Sequence, residues 1–166
     1  MPINRVLVAN RGEIAVRIIG AAQALGIETV QVLSAADRDS AAARLADRAV
    51  VIGPAPSKQS YLEAKLLLHA AQQTGCDALH PGYGFLSERA SLANLCREHD
   101  ITFVGPDADV IDALGDKLRA RAIAAEAGVP LVPGTDSIAD VQSAQRAAED
   151  IGYPVVMKAS AGGGGR

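Results

Sequence analysis

Four consecutive glycines, Gly162, Gly163, Gly164 and Gly165, follow an apolar segment that ends in Lys158. Glycines let successive backbone amides approach a phosphate that a side chain would exclude, and the ammonium three small residues earlier adds a point charge. Nucleotide phosphate is the natural ligand of such a pair; a flexible linker and a surface lysine at a strand end are the competing readings. The run is not a P-loop, because that motif needs a lysine directly after its last glycine and Arg166 stands there.

Lys117 falls in the first turn of a helix expected from Asp116 to Ala127, where the macrodipole disfavours a cation by about 0.3–1 kcal/mol. Either Asp116 compensates as the cap, or an anionic ligand sits where the helix amides and the ammonium converge. A third candidate is the stretch His80, Pro81, Gly82, Tyr83, Gly84, Phe85, Leu86, Ser87 and Glu88. It reads as a strand-to-helix loop at the carboxyl edge of a sheet, where open α/β folds bind ligands. Its glycines either bring the backbone close to a ligand or only shape a turn ahead of a helix capped by Ser87. His80 reads as a positioned core histidine, and His69 and His99 as residues of helix surfaces. At the first strand-helix turn, Asn10, Arg11, Gly12 and Glu13 stand where a dinucleotide fold shows three glycines, so a nicotinamide or flavin cofactor is not expected. Glu13 and Arg17 are spaced as an ion pair on a solvated helix face.

The elements that must position these residues alternate. Ile3–Ala9, Thr29–Leu33, Ala49–Ile52, Ala78–His80 and Thr102–Val104 are short apolar runs suited to buried parallel strands. Helices are predicted over Gly12–Leu25, from Ser60 to Gly75 with Ser60 and Glu63 as a capping box, and over Ser87–Glu98. Right-handed crossovers between such strands leave helices on both faces of a doubly wound sheet. The pattern changes near Gly115. A helix ending at Gly128, the proline-rich stretch 129–134, a helix through Ile138, Val141, Ala144, Ala148 and Ile151 capped near Asp136 or Ser137, and a strand Val155–Lys158 then open a second module. The expected domains are therefore 1–115 and 116–166.

Composition narrows the function classes. The chain has 166 residues, 49% hydrophobic and 21% charged, enough for a packed core. A net charge of −3 with dispersed basic residues excludes the electrostatic footprint of a nucleic-acid binder or of a partner for anionic membranes. Cys76 and Cys96 lack metal-ligand spacing and read as reduced core fillers. With no secretory leader and no spanning segment, a cytoplasmic location is expected. The glycine loop followed by one arginine suggests a fragment.

Taken together, Ala9–Ala15, His80–Glu88, Phe103–Pro106, Gly115–Lys117 and Gly152–Arg166 resemble the biotin carboxylase component of biotin-dependent carboxylases such as acetyl-CoA, propionyl-CoA and pyruvate carboxylases. The resemblance spans the whole chain. It implies an α/β fold: a Rossmann-like, pre-ATP-grasp domain followed by the beginning of an ATP-grasp domain. It also implies an ATP- and bicarbonate-dependent ligase that carboxylates biotin on a carrier protein or domain through carboxyphosphate, with Mg2+ on the phosphates and a carboxyltransferase acting downstream. By similarity Lys117 and Lys158 bind nucleotide phosphates, Gly162 to Gly165 form a lid over ATP, and Tyr83 and Gly84 face the biotin pocket. The metal carboxylates, catalytic base and bicarbonate-binding arginine are expected beyond residue 166, so no catalytic or metal residue is assigned here and residues 1–166 alone are expected to be inactive. The family's dimers contact through the first helix and later segments; Gly20 and Ala24, standing there in place of charged residues, argue against dimerisation of this piece alone. Two other functions fit the same residues: a non-catalytic interface module, and another ATP-grasp ligase joining a carboxylate to an amine.

Overall fold

Arg5–Val8 is a run of four residues whose apolar members have nowhere to face but protein, and it forms the central strand β1, with Leu7 and Val8 fully buried on opposite faces. The computed structural model describes residues 2–135 and 138–157, the side chain of Lys117 excepted. Four further strands, β2 (Glu28–Ser34), β3 (Arg48–Gly53), β4 (Ala78–His80) and β5 (Thr102–Phe103), complete a parallel sheet of order β3-β2-β1-β4-β5. Register pairs Val8 with Gln31 on one side and with His80 on the other. The strand order reverses between β1 and β4.

Helices cover both faces, as right-handed crossovers require. On one face, Ile18 and Ile19 of α1 (Gly12–Ala24) and Ala42 of α2 (Ala41–Leu45) pack on Val8. On the other, Leu67 and Leu68 of α3 (Ala64–Thr74) and Leu92 and Cys96 of α4 (Ala90–Glu98) pack on Leu7, Val30, Val32 and Leu79. Burying each of these leucine, isoleucine and valine side chains contributes about 1.5–3 kcal/mol. Both cysteines are reduced and buried. α5 (Ala108–Gly115) docks Ala108 and Ile111 against Ala90 and Ala93 of α4.

Contacts divide the chain into two compact units between Ile111 and Asp112. In the second unit, α6 (Lys117–Glu126) is capped by Asp116, whose carboxylate accepts the Leu118 and Arg119 amides at 2.9 Å each. Gly128 follows α6 at φ 71°, a left-handed residue that suits glycine beyond a helix end. α7 (Val141–Ile151) is capped by Asp140, which accepts the Ser143 amide at 2.7 Å.

Several expected boundaries move. α3 starts at Ala64, not Ser60: Ser60 is buried with its hydroxyl on the Pro56 carbonyl, and a 3-10 turn over Ser57–Gln59 places Tyr61 in the core instead of forming a capping box. α4 starts at Ala90 and Ser87 caps nothing, because Gly84 and Phe85 have positive φ and Ser87 donates its amide to the Gly84 carbonyl in a turn. The α7 cap is Asp140, while Asp136 and Ser137 lie outside the described residues. Residues 155–157 pair with no described strand, and Val156 and Met157 are exposed, so the predicted strand Val155–Lys158 has no ladder to sustain it there. α2 and α5 lie in stretches that the apolar pattern left unassigned.

Candidate functional site

The reversal of strand order creates a crevice at the carboxyl ends of β1 and β4, the position where open parallel sheets bind ligands. The loops that leave those two strands line an open groove of about 420 Å³: Asn10 to Ile14 from the β1–α1 turn and Tyr83, Gly84 and Phe85 from the β4–α4 loop.

The two walls are joined by side-chain-to-backbone hydrogen bonds. Asn10, 3% exposed, donates from Nδ2 to the Pro81 carbonyl at 2.7 Å and to the Tyr83 carbonyl at 2.8 Å. Its Oδ1 accepts the Arg11 amide at 2.8 Å, and its own carbonyl accepts from Gln31 Nε2 at 2.7 Å. Gly82 turns the loop at φ +67°, and a Cβ there would sit 2.9 Å from Asn10 Nδ2, so both conformation and space call for glycine. The Gly82 amide donates to His80 Nδ1 at 3.0 Å, which puts the ring proton on Nε2. Burial pushes the His80 pKa down, keeping the ring neutral.

Behind the groove Tyr61 and Phe85 stack with ring centroids 5.3 Å apart. The Arg11 guanidinium lies 5.7 Å and 5.8 Å from the two ring centres and 3.7 Å from Asp37 Oδ2. Asp37 Oδ2 also accepts from the Ser34 hydroxyl at 2.6 Å and the Tyr61 hydroxyl at 2.7 Å. Burial alone would raise the Asp37 carboxyl, but these two donors and the Arg11 charge outweigh it and hold it below its ordinary range. For Tyr61, burial first and the adjacent carboxylate second push the hydroxyl to about 12.

Of the residues singled out in the sequence, Tyr83 and Gly84 stand in this groove, with Tyr83 61% exposed. Glu13 does not pair with Arg17; its carboxylate accepts the Tyr83 hydroxyl, and the ion pairs among the described residues are Arg5–Glu28 and Arg11–Asp37. Lys117 is the first residue of α6, directly after its cap. Lys158 and Gly162, Gly163, Gly164 and Gly165 lie outside the described residues. Among the described residues, no three His, Cys, Asp or Glu side chains gather as a metal site. Tyr61 and Asp37 escaped the sequence reading; an aromatic residue in a chain with only 3% aromatics was the available signal.

Residues 2–111 match the family model for the biotin carboxylase N-terminal domain. The chain belongs to the biotin carboxylase family. Residues 116–166 of this family member match the carbamoyl-phosphate synthase L chain ATP-binding domain, the beginning of an ATP-grasp region. The chain is 54% identical over 165 residues to biotin carboxylase 1 of Bacillus subtilis, covering 99% of this chain and 37% of that protein. Among solved structures, it resembles the biotin carboxylase domain dimer of Hydrogenobacter thermophilus 2-oxoglutarate carboxylase, in complex with MgADP, ADP and bicarbonate, at TM-score 0.91 and 48% identity, covering 100% of this chain and 37% of that one. It also resembles a biotin carboxylase–beta-gamma-ATP complex from Campylobacter jejuni at TM-score 0.93 and 42% identity, covering 99% and 37%. The chain thus spans little more than a third of these relatives. No helix among the described residues is long and apolar enough to cross a membrane.

Proposed function

We propose that this chain supplies the biotin-facing wall and part of the nucleotide-phosphate contacts of an ATP- and bicarbonate-dependent biotin carboxylase, acting on biotin held by a carrier protein or domain. The observation that carries the reading is the switch-point groove between β1 and β4, presenting Tyr83 and Gly84 in a chain of this family. The groove's volume falls within the range of about 300–1,000 Å³ common for small-molecule sites.

On this reading residues 1–115 form the Rossmann-like domain and 116–166 open the ATP-grasp domain. Lys117 opens α6 directly after its Asp116 cap and brings one ammonium to the phosphates, and Lys158 with Gly162 to Gly165 completes the phosphate contacts. Mg2+ would supply positive charge at the phosphates, and among the described residues no three His, Cys, Asp or Glu side chains gather to hold it. ATP supplies the activating phosphoryl group for bicarbonate; this chain's part is to position phosphate and biotin and to exclude water. Residues 1–166 alone are inactive on this proposal, because positioned charge without metal carboxylates leaves the transferring phosphoryl group unsupported.

The test is calorimetric titration of MgATP into a chain extended through the complete ATP-grasp region, comparing wild type with Lys117→Ala and Lys158→Ala. Each substitution should weaken binding by about tenfold or more, the loss of one charge-assisted contact. Unchanged affinity in both variants refutes the phosphate assignment. In parallel, Tyr83→Ala should raise the KM for free biotin, and an unchanged value refutes the biotin-facing assignment.

A further inference from the structure

In a dinucleotide-binding sheet the first strand-helix turn offers bare amides to a pyrophosphate. Here the same turn is occupied by its own chain. Both Nδ2 protons of Asn10 are engaged by the carbonyls of Pro81 and Tyr83, and three residues further along the turn Glu13 accepts the hydroxyl of Tyr83. One turn therefore grips Tyr83 at its backbone and at the tip of its side chain. Gln31, fully buried on β2, anchors the turn in place through the Asn10 carbonyl. The Tyr83 ring is otherwise exposed, so packing alone does not select its rotamer.

We propose that Asn10 and Glu13 are positioning residues that preset Tyr83 for biotin, which rests on the reading that Tyr83 faces that ligand. Ordering one free side chain on binding weakens affinity by about two- to tenfold. The clamp removes that cost before biotin arrives. Neither residue needs to touch biotin or nucleotide for this effect.

The experiment uses the carboxylase chain that carries this segment with its complete ATP-grasp region, and free biotin as the probe. Glu13→Ala should raise the KM for biotin by about two- to tenfold, with a smaller rise in the KM for ATP. Glu13→Gln should restore the biotin KM, because an amide oxygen still accepts the hydroxyl. Asn10→Asp replaces two donors with an oxygen facing two carbonyls and should raise the same KM. Should Asn10→Asp fail to fold, the exposed Glu13 pair decides alone. A biotin KM unmoved by Glu13→Ala but raised by Tyr83→Ala overturns the clamp and leaves the biotin-facing reading intact. If Tyr83→Ala also leaves it unmoved, that reading falls as well. Equal rises in the KM values for biotin and ATP overturn the clamp in favour of general loss of structure.

Discussion

Tyr61→Phe isolates the buried polar network behind the groove. The substitution keeps the ring, its volume and its stack on Phe85, and deletes one oxygen. That oxygen donates to Asp37 Oδ2 at 2.7 Å and accepts the buried Ser34 amide at 2.9 Å. Losing a hydrogen bond to a carboxylate costs about 1.5–3 kcal/mol, and leaving a buried amide without a partner costs about 1–3 kcal/mol. Because the two losses share one atom and one site, the expected destabilisation is about 2–4 kcal/mol, less than their upper sum. The assay is amide hydrogen exchange of peptides spanning β1 and β2 in the 166-residue chain. Exchange reports the opening of the unit that contains Tyr61 without requiring that the whole chain unfold in one step. A loss below about 1 kcal/mol would refute the reasoning, since it would mean that the Ser34 amide never depended on this oxygen.

The same variant has an acid signature. Asp37 sits below its ordinary value of 3.8 in the folded protein, so between the folded and unfolded values the unfolded chain binds more protons. Its contribution is therefore complete above about pH 4 and disappears as pH falls through the folded value. Tyr61→Phe removes one of the donors that lowers this carboxyl, so stability should fall less steeply with acid below pH 4 in the variant. An identical or steeper slope would place the Asp37 shift elsewhere.

Three further outcomes follow from the geometry. Cys96 is fully buried and burial raises its thiol to about 11, so at pH 8 a thiol reagent should label it only at the rate of unfolding; rapid labelling of native protein, read by mass spectrometry, contradicts this. Asp116→Ala should destabilise α6 by about 0.5–2 kcal/mol, the usual cost of losing a helix cap, seen as faster exchange at the Leu118 and Arg119 amides. Leu79→Ala, in a fully buried position of β4, should cost about 2–5 kcal/mol in exchange protection of the sheet, and a smaller loss would mean that the core refills the cavity.

The sheet was legible because parallel strands covered on both faces are rich in apolar residues, as β1 and β4 are, and β2 still carries Val30, Val32 and Leu33 around its buried Gln31. Helix starts were less so. Ser60 and Glu63 have the spacing of a capping box, yet burying Tyr61 and forming its bonds to Asp37 and Ser34 outweighs what the cap offers, and the helix begins later. Ser87 failed as a cap for a related reason: the left-handed turn at Gly84 and Phe85 delivers the chain to α4 only at Ala90. α2 is five residues long, too short for its periodicity to stand out.

Of the candidate groove, the β4–α4 loop was legible in the sequence and the part played by the β1–α1 turn was not. Tyr83 and Gly84, which line the groove, stood out because glycine and proline punctuation at a strand's carboxyl end fits either a ligand loop or a shaped turn. Asn10 announced only the absence of a glycine fingerprint, since its partners, the carbonyls of Pro81 and Tyr83, lie 71 and 73 residues away. A backbone carbonyl has no sequence identity, so no pattern of residue types could have pointed from Asn10 to them. Glu13 misled for the opposite reason. Arg17 offered a local partner at helical spacing, worth only about 0.2–0.5 kcal/mol on an exposed face, while a hydroxyl 70 residues away took the carboxylate. Where an exposed local pair is that weak, a distant contact that also closes a turn displaces it, and the charged residues beside a switch point are better read for what the crossing loop presents than for their helical neighbours.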